Sequence, residues 1–360
     1  ASNKTYDSTT GATVSTAGAT YTGLFSGDAV TVSATGTFSN KNVGTGKTVT
    51  LTSSYTGADV SNYTITDQAS TTANITPATL TASAAGINRT YDGSTTATVT
   101  VGDNRFAGDS LTLTYAGASF ADKNVGTGKA VSVSGIAISG GADAGNYTLG
   151  GTTASTTANI SQLASVAWTG GSTGNWSNAA NWAGGAIPDL SNVAAVTIGS
   201  GTTVTYDAGV AGTTNLTSLS DAGTFQMAGG ALTVSGAMAT AGFGQTGGTL
   251  SAGTLTVSAL GAINKTGGTL IASLLNITSV GGASFAGNNF VSSFQATNSG
   301  SGGVGLTNGS SGSPTPLAVL GISNPVGAVM IDNIGAVTTT GAITAGTTVD
   351  IVAHSPLTIG

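Results

Sequence analysis

One stretch of this 360-residue chain is written twice. Asn3-Lys4-Thr5-Tyr6-Asp7 returns as Asn88-Arg89-Thr90-Tyr91-Asp92, and Phe38-Ser39-Asn40-Lys41-Asn42-Val43-Gly44-Thr45-Gly46-Lys47 returns as Phe120-Ala121-Asp122-Lys123-Asn124-Val125-Gly126-Thr127-Gly128-Lys129. Asn62-Tyr63-Thr64 returns as Asn146-Tyr147-Thr148, and Thr71-Thr72-Ala73-Asn74-Ile75 as Thr156-Thr157-Ala158-Asn159-Ile160. A near-constant period with loop-sized drift marks one supersecondary unit used in tandem. Residues 1–77 and 78–162 are therefore two modules of one fold. Copy two opens with the strand-like Leu80-Thr81-Ala82-Ser83-Ala84, where copy one has only Ala1 and Ser2. The first module thus lacks its opening strand, and the unpaired edge invites pairing with a neighbour or a flanking repeat. The start at Ala1 reads as a cut from a longer parent, whose upstream chain is expected to fill that place.

Within each copy the strands alternate as half-buried sheet does, in Ala29-Val30-Thr31-Val32-Ser33 and Leu111-Thr112-Leu113-Thr114-Tyr115. Gly27-Asp28 and Gly108-Asp109 ahead of them are turn residues. Gly44-Thr45-Gly46 and Gly126-Thr127-Gly128 are followed by strands, whereas a phosphate-cradling loop needs a helix. Composition supports sheet throughout. The chain has 57 Gly, 6% charged residues and no Glu or Cys, against about 25% charged residues in an average domain. The charged helix formers are scarce, with no Glu and only 8 Lys and Arg together, and Gly and Thr abound, which excludes long surface helices and coiled coils. At 39% the hydrophobic content is too high for simple disorder. A net charge of -6 argues against nucleic acid as a partner. Without Cys there are no disulfides and no thiol nucleophile, and one His cannot build a zinc site. No run is long enough for a membrane helix, and no signal segment opens the chain.

Tyr91-Asp92-Gly93, the Asp122-to-Lys129 stretch and Gly145-Asn146-Tyr147-Thr148 together resemble the YDG repeat domain. Copy one departs from the pattern at Ser8 and Asn40. The resemblance covers residues 1–162 and implies a very large bacterial surface exoprotein of the filamentous-haemagglutinin type, exported by two-partner secretion through an outer-membrane transporter. It implies an extracellular, cell-surface location and a role in adhesion, biofilm or filament formation. The modules are expected as antiparallel sandwiches, with a β-grasp arrangement as the alternative.

The texture changes after Leu163. Trp168, Trp176 and Trp182 open a connector over residues 163–190 that is similar to the Trp-Asn-Trp openings beside β-helical passengers of autotransporters and haemagglutinin-like adhesins. Gly-Gly-x-Leu then recurs at Gly229, Gly247 and Gly267. That period suits one coil of a right-handed parallel β-helix over residues 191–360, each coil burying apolar residues against its neighbours. Val204, Leu232, Val234, Leu250, Leu255, Val257, Leu270, Leu274 and Ile277 are the expected stack. About eight or nine coils at about 4.8 Å each give a rod on the order of 40 Å long.

Candidate chemistry is thin. His354 is the only histidine, and Ser355 beside it points to the opposite face of a strand. Asp189 with Asp207, or Asp332 with Asp350, each pair one coil period apart, are the carboxylates a β-helical polysaccharide-degrading enzyme would use. Yet this half has no Arg to hold an acidic sugar. Closely spaced Gly-Asp calcium turns are missing as well. Trp168, Trp176 and Trp182 form either a lid over the first coil or a sugar-stacking platform. A Lys–Asn isopeptide crosslink would use Lys41, Asn62 and Asp7, or Lys123, Asn146 and Asp92. The expectation is an all-β structural or adhesive segment, without catalysis or cofactor, that self-associates or joins flanking repeats through open strand edges. A glycan-binding module for surface or matrix sugars is the alternative.

Overall fold

The computed structural model describes residues 1–360, and its regular structure is strand apart from four single 3-10 turns. Contacts divide the chain into two units: Ala1–Ile87, Thr96–Ala121 and Gly128–Ala158 form one, while Asn88–Thr95, Asp122–Thr127 and Asn159–Gly360 form the other. The division does not follow the repeat boundary. Two short segments of the second module belong with the C-terminal unit.

In the first unit, module one is a five-stranded sheet in the order Lys4–Thr5, Ser70–Thr76, Gly44–Thr56, Thr31–Phe38, Gly11–Ala12. Its outermost pair, Lys4–Thr5 with Ser70–Thr76, is parallel and the others are antiparallel. Alternation puts Phe38, Val49 and Ile75 on one face, where they join Tyr6, Leu80, Leu111 and Tyr147 in a single hydrophobic cluster. Both copies of the repeat therefore contribute to one core. Copy two contains the strands that copy one lacks. Ala78–Leu80 pairs parallel with Tyr147–Leu149, and Ala82–Gly86 pairs antiparallel with Val99–Asp103. The equivalents of those two partners in copy one, residues 63–65 and 14–18, are not strands. Without the opening strand that the sequence finds in copy two alone, the segments of copy one that correspond to its two partners are left unpaired.

The second unit is dominated by a parallel β-solenoid of about eight turns. Its register carries Leu232 onto Leu250, then onto Leu270 and Asn289, one position per coil. The expected stack lies inside, with Val204, Val234, Leu250, Leu255, Val257 and Leu270 fully buried. Leu274 is the exception: it is only half-buried, and its neighbour Leu275 takes the core position. The two-residue period within a strand decides which of two adjacent leucines turns inward. The ladder also begins earlier than residue 191. Leu163–Ala167 pairs with Val193–Ile198 and Thr173–Asn175 with Thr203–Tyr206, so the Trp-rich stretch is itself the first coil.

Two devices turn the corners. In Gly247-Gly248 and Gly267-Gly268 the second glycine has φ +67°, and a Cβ on either residue of the pair would meet a carbonyl oxygen of the preceding coil within 2.6 Å. Coils this close need the doublet. The other device is buried asparagine. Asn298 Nδ2 donates to Asn324 Oδ1 at 2.9 Å and Asn308 Nδ2 to Asn333 Oδ1 at 2.8 Å, with all four side chains fully buried. They also bond to backbone: Asn308 accepts from Val291 N and donates to Val291 O in the strand Asn288–Asn298. Buried polar groups are tolerated when satisfied in this way.

Candidate functional site

The polar chemistry of the repeats converges on one arrangement that occurs twice. In the first unit, Tyr6 stands at the end of the Lys4–Thr5 strand and Lys41 in the turn between Thr31–Phe38 and Gly44–Thr56. Both reach across to the second module. Tyr6 Oη donates to Asp109 Oδ2 at 2.7 Å, and Lys41 Nζ lies 2.5 Å from Asp109 Oδ1 and 2.9 Å from Asp143 Oδ1. Asn42 and Val43 complete the contact, because Asn146 Oδ1 accepts from Val43 N at 2.9 Å and Asn146 Nδ2 donates to Asn42 Oδ1 at 3.2 Å. Rings fill the space around these bonds. Tyr6 packs edge-on against Tyr147 at 5.4 Å and Phe106 at 5.9 Å, and the Lys41 ammonium sits 5.8 Å above the Tyr6 ring.

The second unit repeats the pattern with a different receiver. Lys123 Nζ is 2.7 Å from Asp189 Oδ2, and Tyr91 Oη donates to Ile187 O at 3.0 Å. Asn192 Oδ1 accepts from Val125 N at 2.8 Å, while Asn192 Nδ2 donates to Asn124 Oδ1 at 3.0 Å. Lys123 stands 5.7 Å over the Tyr91 ring. Asp-x-x-Asn is the shared receiver motif: Asp143 and Asn146 in one case, Asp189 and Asn192 in the other. In both, the Asn backbone N–H donates back to the carbonyl of the Asp that opens the motif. Each module thus presents a plug of Tyr, Lys and Asn-Val, and each plug fits an Asp-x-x-Asn socket.

Electrostatics follow from that packing. Burial pushes the Asp109 carboxyl up, but hydrogen bonds from Lys41, Tyr147, Tyr6 and Ser8 outweigh it and hold the pKa at about 2. Burial and the adjacent Asp109 raise Tyr147 to about 12. Lys123 is pushed down by burial, yet its bonds to Asp189 and Tyr91 leave it raised overall. The Lys41–Asp109 pair is charged at neutral pH.

The residues singled out in the sequence separate in the structure. Lys41 faces Asp109 and Asp143 rather than Asn62, and Asp7 accepts from Lys4 and Thr9. Lys123 faces Asp189, Asn146 is committed to Asn42 and Val43, and Asp92 pairs with Arg89 and Ser94. Neither isopeptide triad is assembled within its own module. Trp176 and Trp182 are fully buried and Trp168 nearly so, packed with Tyr206 and Phe225. Trp176 Nε1 donates to Pro188 O at 2.8 Å, which holds the loop carrying Asp189. The rings face inward and leave a sugar no platform. Asp207 caps Ser177 and Gly209, away from the bonds Asp189 makes. Asp332 is in register with Val352, not Asp350, and its exposed carboxylate meets His354 Nε2 at 2.9 Å. Sequence reasoning missed the plug and socket. The repeated Lys and Asn were visible, but their partners lie far along the chain, Asp109 for Lys41 and Asn146 for Val43.

Residues 1–73 and 76–158 each match the family model of the YDG domain. No curated protein matches the chain, and no solved structure does. The solenoid is recognised by its geometry alone.

Proposed function

We propose that this chain is a structural and adhesive segment of a large secreted bacterial surface protein of the filamentous-haemagglutinin type, which crosses the outer membrane through a dedicated transporter. It acts outside the cell as a stiff spacer or filament in adhesion and biofilm, a role that needs no catalytic group or cofactor. The observation that carries this reading is the long parallel ladder. Adjoining coils such as Thr249–Ala259 and Thr269–Ser279 meet in register along their length, interrupted at one residue on each strand, and buried Asn pairs tie successive corners. A surface protein under tension benefits from many equivalent, locally closed layers, because the loss of one leaves the next intact.

Single-molecule stretching of the whole chain from its two ends tests the proposal. Coils should peel one by one, each lengthening the tether by about 65 Å, the extended span of about 20 residues less one strand spacing. Smooth extension without steps at low force would sink it.

A further inference from the structure

The first module carries both halves of the joint and uses one. Its plug sits on the second module. Its own socket, built to the same local plan, is open to solvent. Tyr63 Oη donates to Asp28 Oδ2 at 2.6 Å, as Tyr147 does to Asp109. Phe25 N donates to Tyr63 Oη as Phe106 N does to Tyr147. Ala29 N donates to Asp59 Oδ2 at 2.8 Å, matching Ser110 N to Asp143 Oδ2 at 2.9 Å. A 3-10 turn, Val60–Asn62, presents Asn62 where Ala144–Asn146 presents Asn146. What differs is cover. Asn146 is 4% exposed and Asn62 is exposed; Phe106 is 39% exposed and Phe25 76%.

A second observation lies in the same module. A cavity of about 630 Å³ is lined by Val14, Thr16, Tyr21, Leu24, Tyr63 and Ile65 among others. Residues 14–18 and 63–65 are the copy-one equivalents of Val99–Asp103 and Tyr147–Leu149, the two strands that hold Ala78–Gly86 in module two. The cavity therefore lies where the joining strand runs in module two.

We infer that this face of the first module docks another YDG-type module together with its trailing strand. The incoming Tyr and Lys meet Asp28 and Asp59, its Asn-Val turn meets Asn62, and its Tyr ring covers Phe25 and Tyr63. The strand that follows it, of the Ala78–Gly86 pattern, fills the cavity and pairs with residues 63–65. Opposite charge selects the plug, and a strand-sized groove with unpaired backbone along residues 63–65 selects the tail. One occupant accounts for both the open socket and the groove, since in this chain the module that supplies the plug is also the one that runs on into the joining strand. This extends the proposed structural role, and it stands or fails at one surface, independently of any stretching result.

Hydrogen exchange tests it. In an extended chain, a copy of residues 1–87 runs directly into Asn3 and supplies a further module. The backbone amides of Thr64 and Thr66, the equivalents of Thr148 and Gly150, should then exchange about tenfold or more slowly than in the 360-residue chain, because Gly150 N donates to Leu80 O in the paired copy. Asp28→Asn with Asn62→Ala should abolish that protection in the extended chain, measured against the same double substitution in the 360-residue chain. A peptide with the sequence of residues 76–87, added to the 360-residue chain, should protect the same amides, and a shuffled peptide should not. Equal exchange in both chains, protection that survives the double substitution, or equal protection by the shuffled peptide overturns the assignment. Protection that rises with concentration of the 360-residue chain alone would name a second copy as occupant and overturn it too.

Discussion

Lys41 and Lys265 are cations in opposite situations, and each makes a prediction about pH. Lys41 meets two carboxylates, one of them on the fully buried side chain of Asp109. Removing the lysine leaves that charge with hydroxyl donors only. Lys41→Met should therefore lower the midpoint of thermal unfolding, by on the order of 3 °C. Asp350→Asn, a change at an exposed carboxylate, should leave the midpoint nearly unmoved. Because Asp109 is held below its ordinary 3.8 at about 2, its contribution is complete above about pH 4. That contribution drains away as pH falls from about 4 to 2. Lys265 is fully buried without a carboxylate: Nζ donates to Gly268 O and Ala286 O, each at 3.0 Å. Two carbonyls satisfy the two N–H bonds of a neutral amine, and burial lowers the pKa to about 8. Here the folded state binds the proton more weakly than the unfolded chain, so stability rises with pH between about 8 and 10.5. Lys265→Met should remove that rise and stabilise the solenoid at pH 7 by on the order of 2 kcal/mol, read from the thermal midpoint.

At the scale of strands and turns, the sequence announced some features and concealed others for a physical reason. The Gly-Gly-x-Leu recurrence exposed the coil period, because a close carbonyl at a tight corner admits only glycine. The buried asparagines stayed hidden. Asn298, Asn308, Asn324 and Asn333 each end a strand-forming stretch and precede Ser, Gly, Pro or Ile, which also describes many a surface turn. Only the alignment of neighbouring coils shows that they pair, Asn298 with Asn324 and Asn308 with Asn333. Asn308→Ala removes the acceptor for Val291 N and should cost about 2–3 kcal/mol, seen as accelerated exchange of that amide. Combined with Asn333→Ala, the double change should cost less than the sum of the singles, by about 1 kcal/mol. Strict additivity would separate the two residues energetically. Tryptophan illustrates the same limit. Three so close together signal a cluster, but inward or outward facing is decided by Tyr206 and Phe225, which come from later coils.

Over the whole molecule one device recurs: a Tyr–Lys–Asn plug and an Asp-x-x-Asn socket, used between the two repeats and again where Asp189 and Asn192 receive Lys123 and Asn124. The two receivers share this short motif and little else of their surroundings, so the socket is transferable between unlike β structures. Disruption tests that independence. Asp189→Ala with Asn192→Ala should release the Lys123 contact and speed exchange at Val125 N, while leaving the Val43 amide as it was. The arrangement has a genetic consequence. A module holds its plug at one set of loops and its socket at another, with the joining strand between consecutive copies. An in-frame duplication of one repeat's worth of codons therefore copies a matched pair of surfaces in a single event. Each added repeat arrives already fitted to its parent, and such a gene can lengthen its product without a compensating mutation.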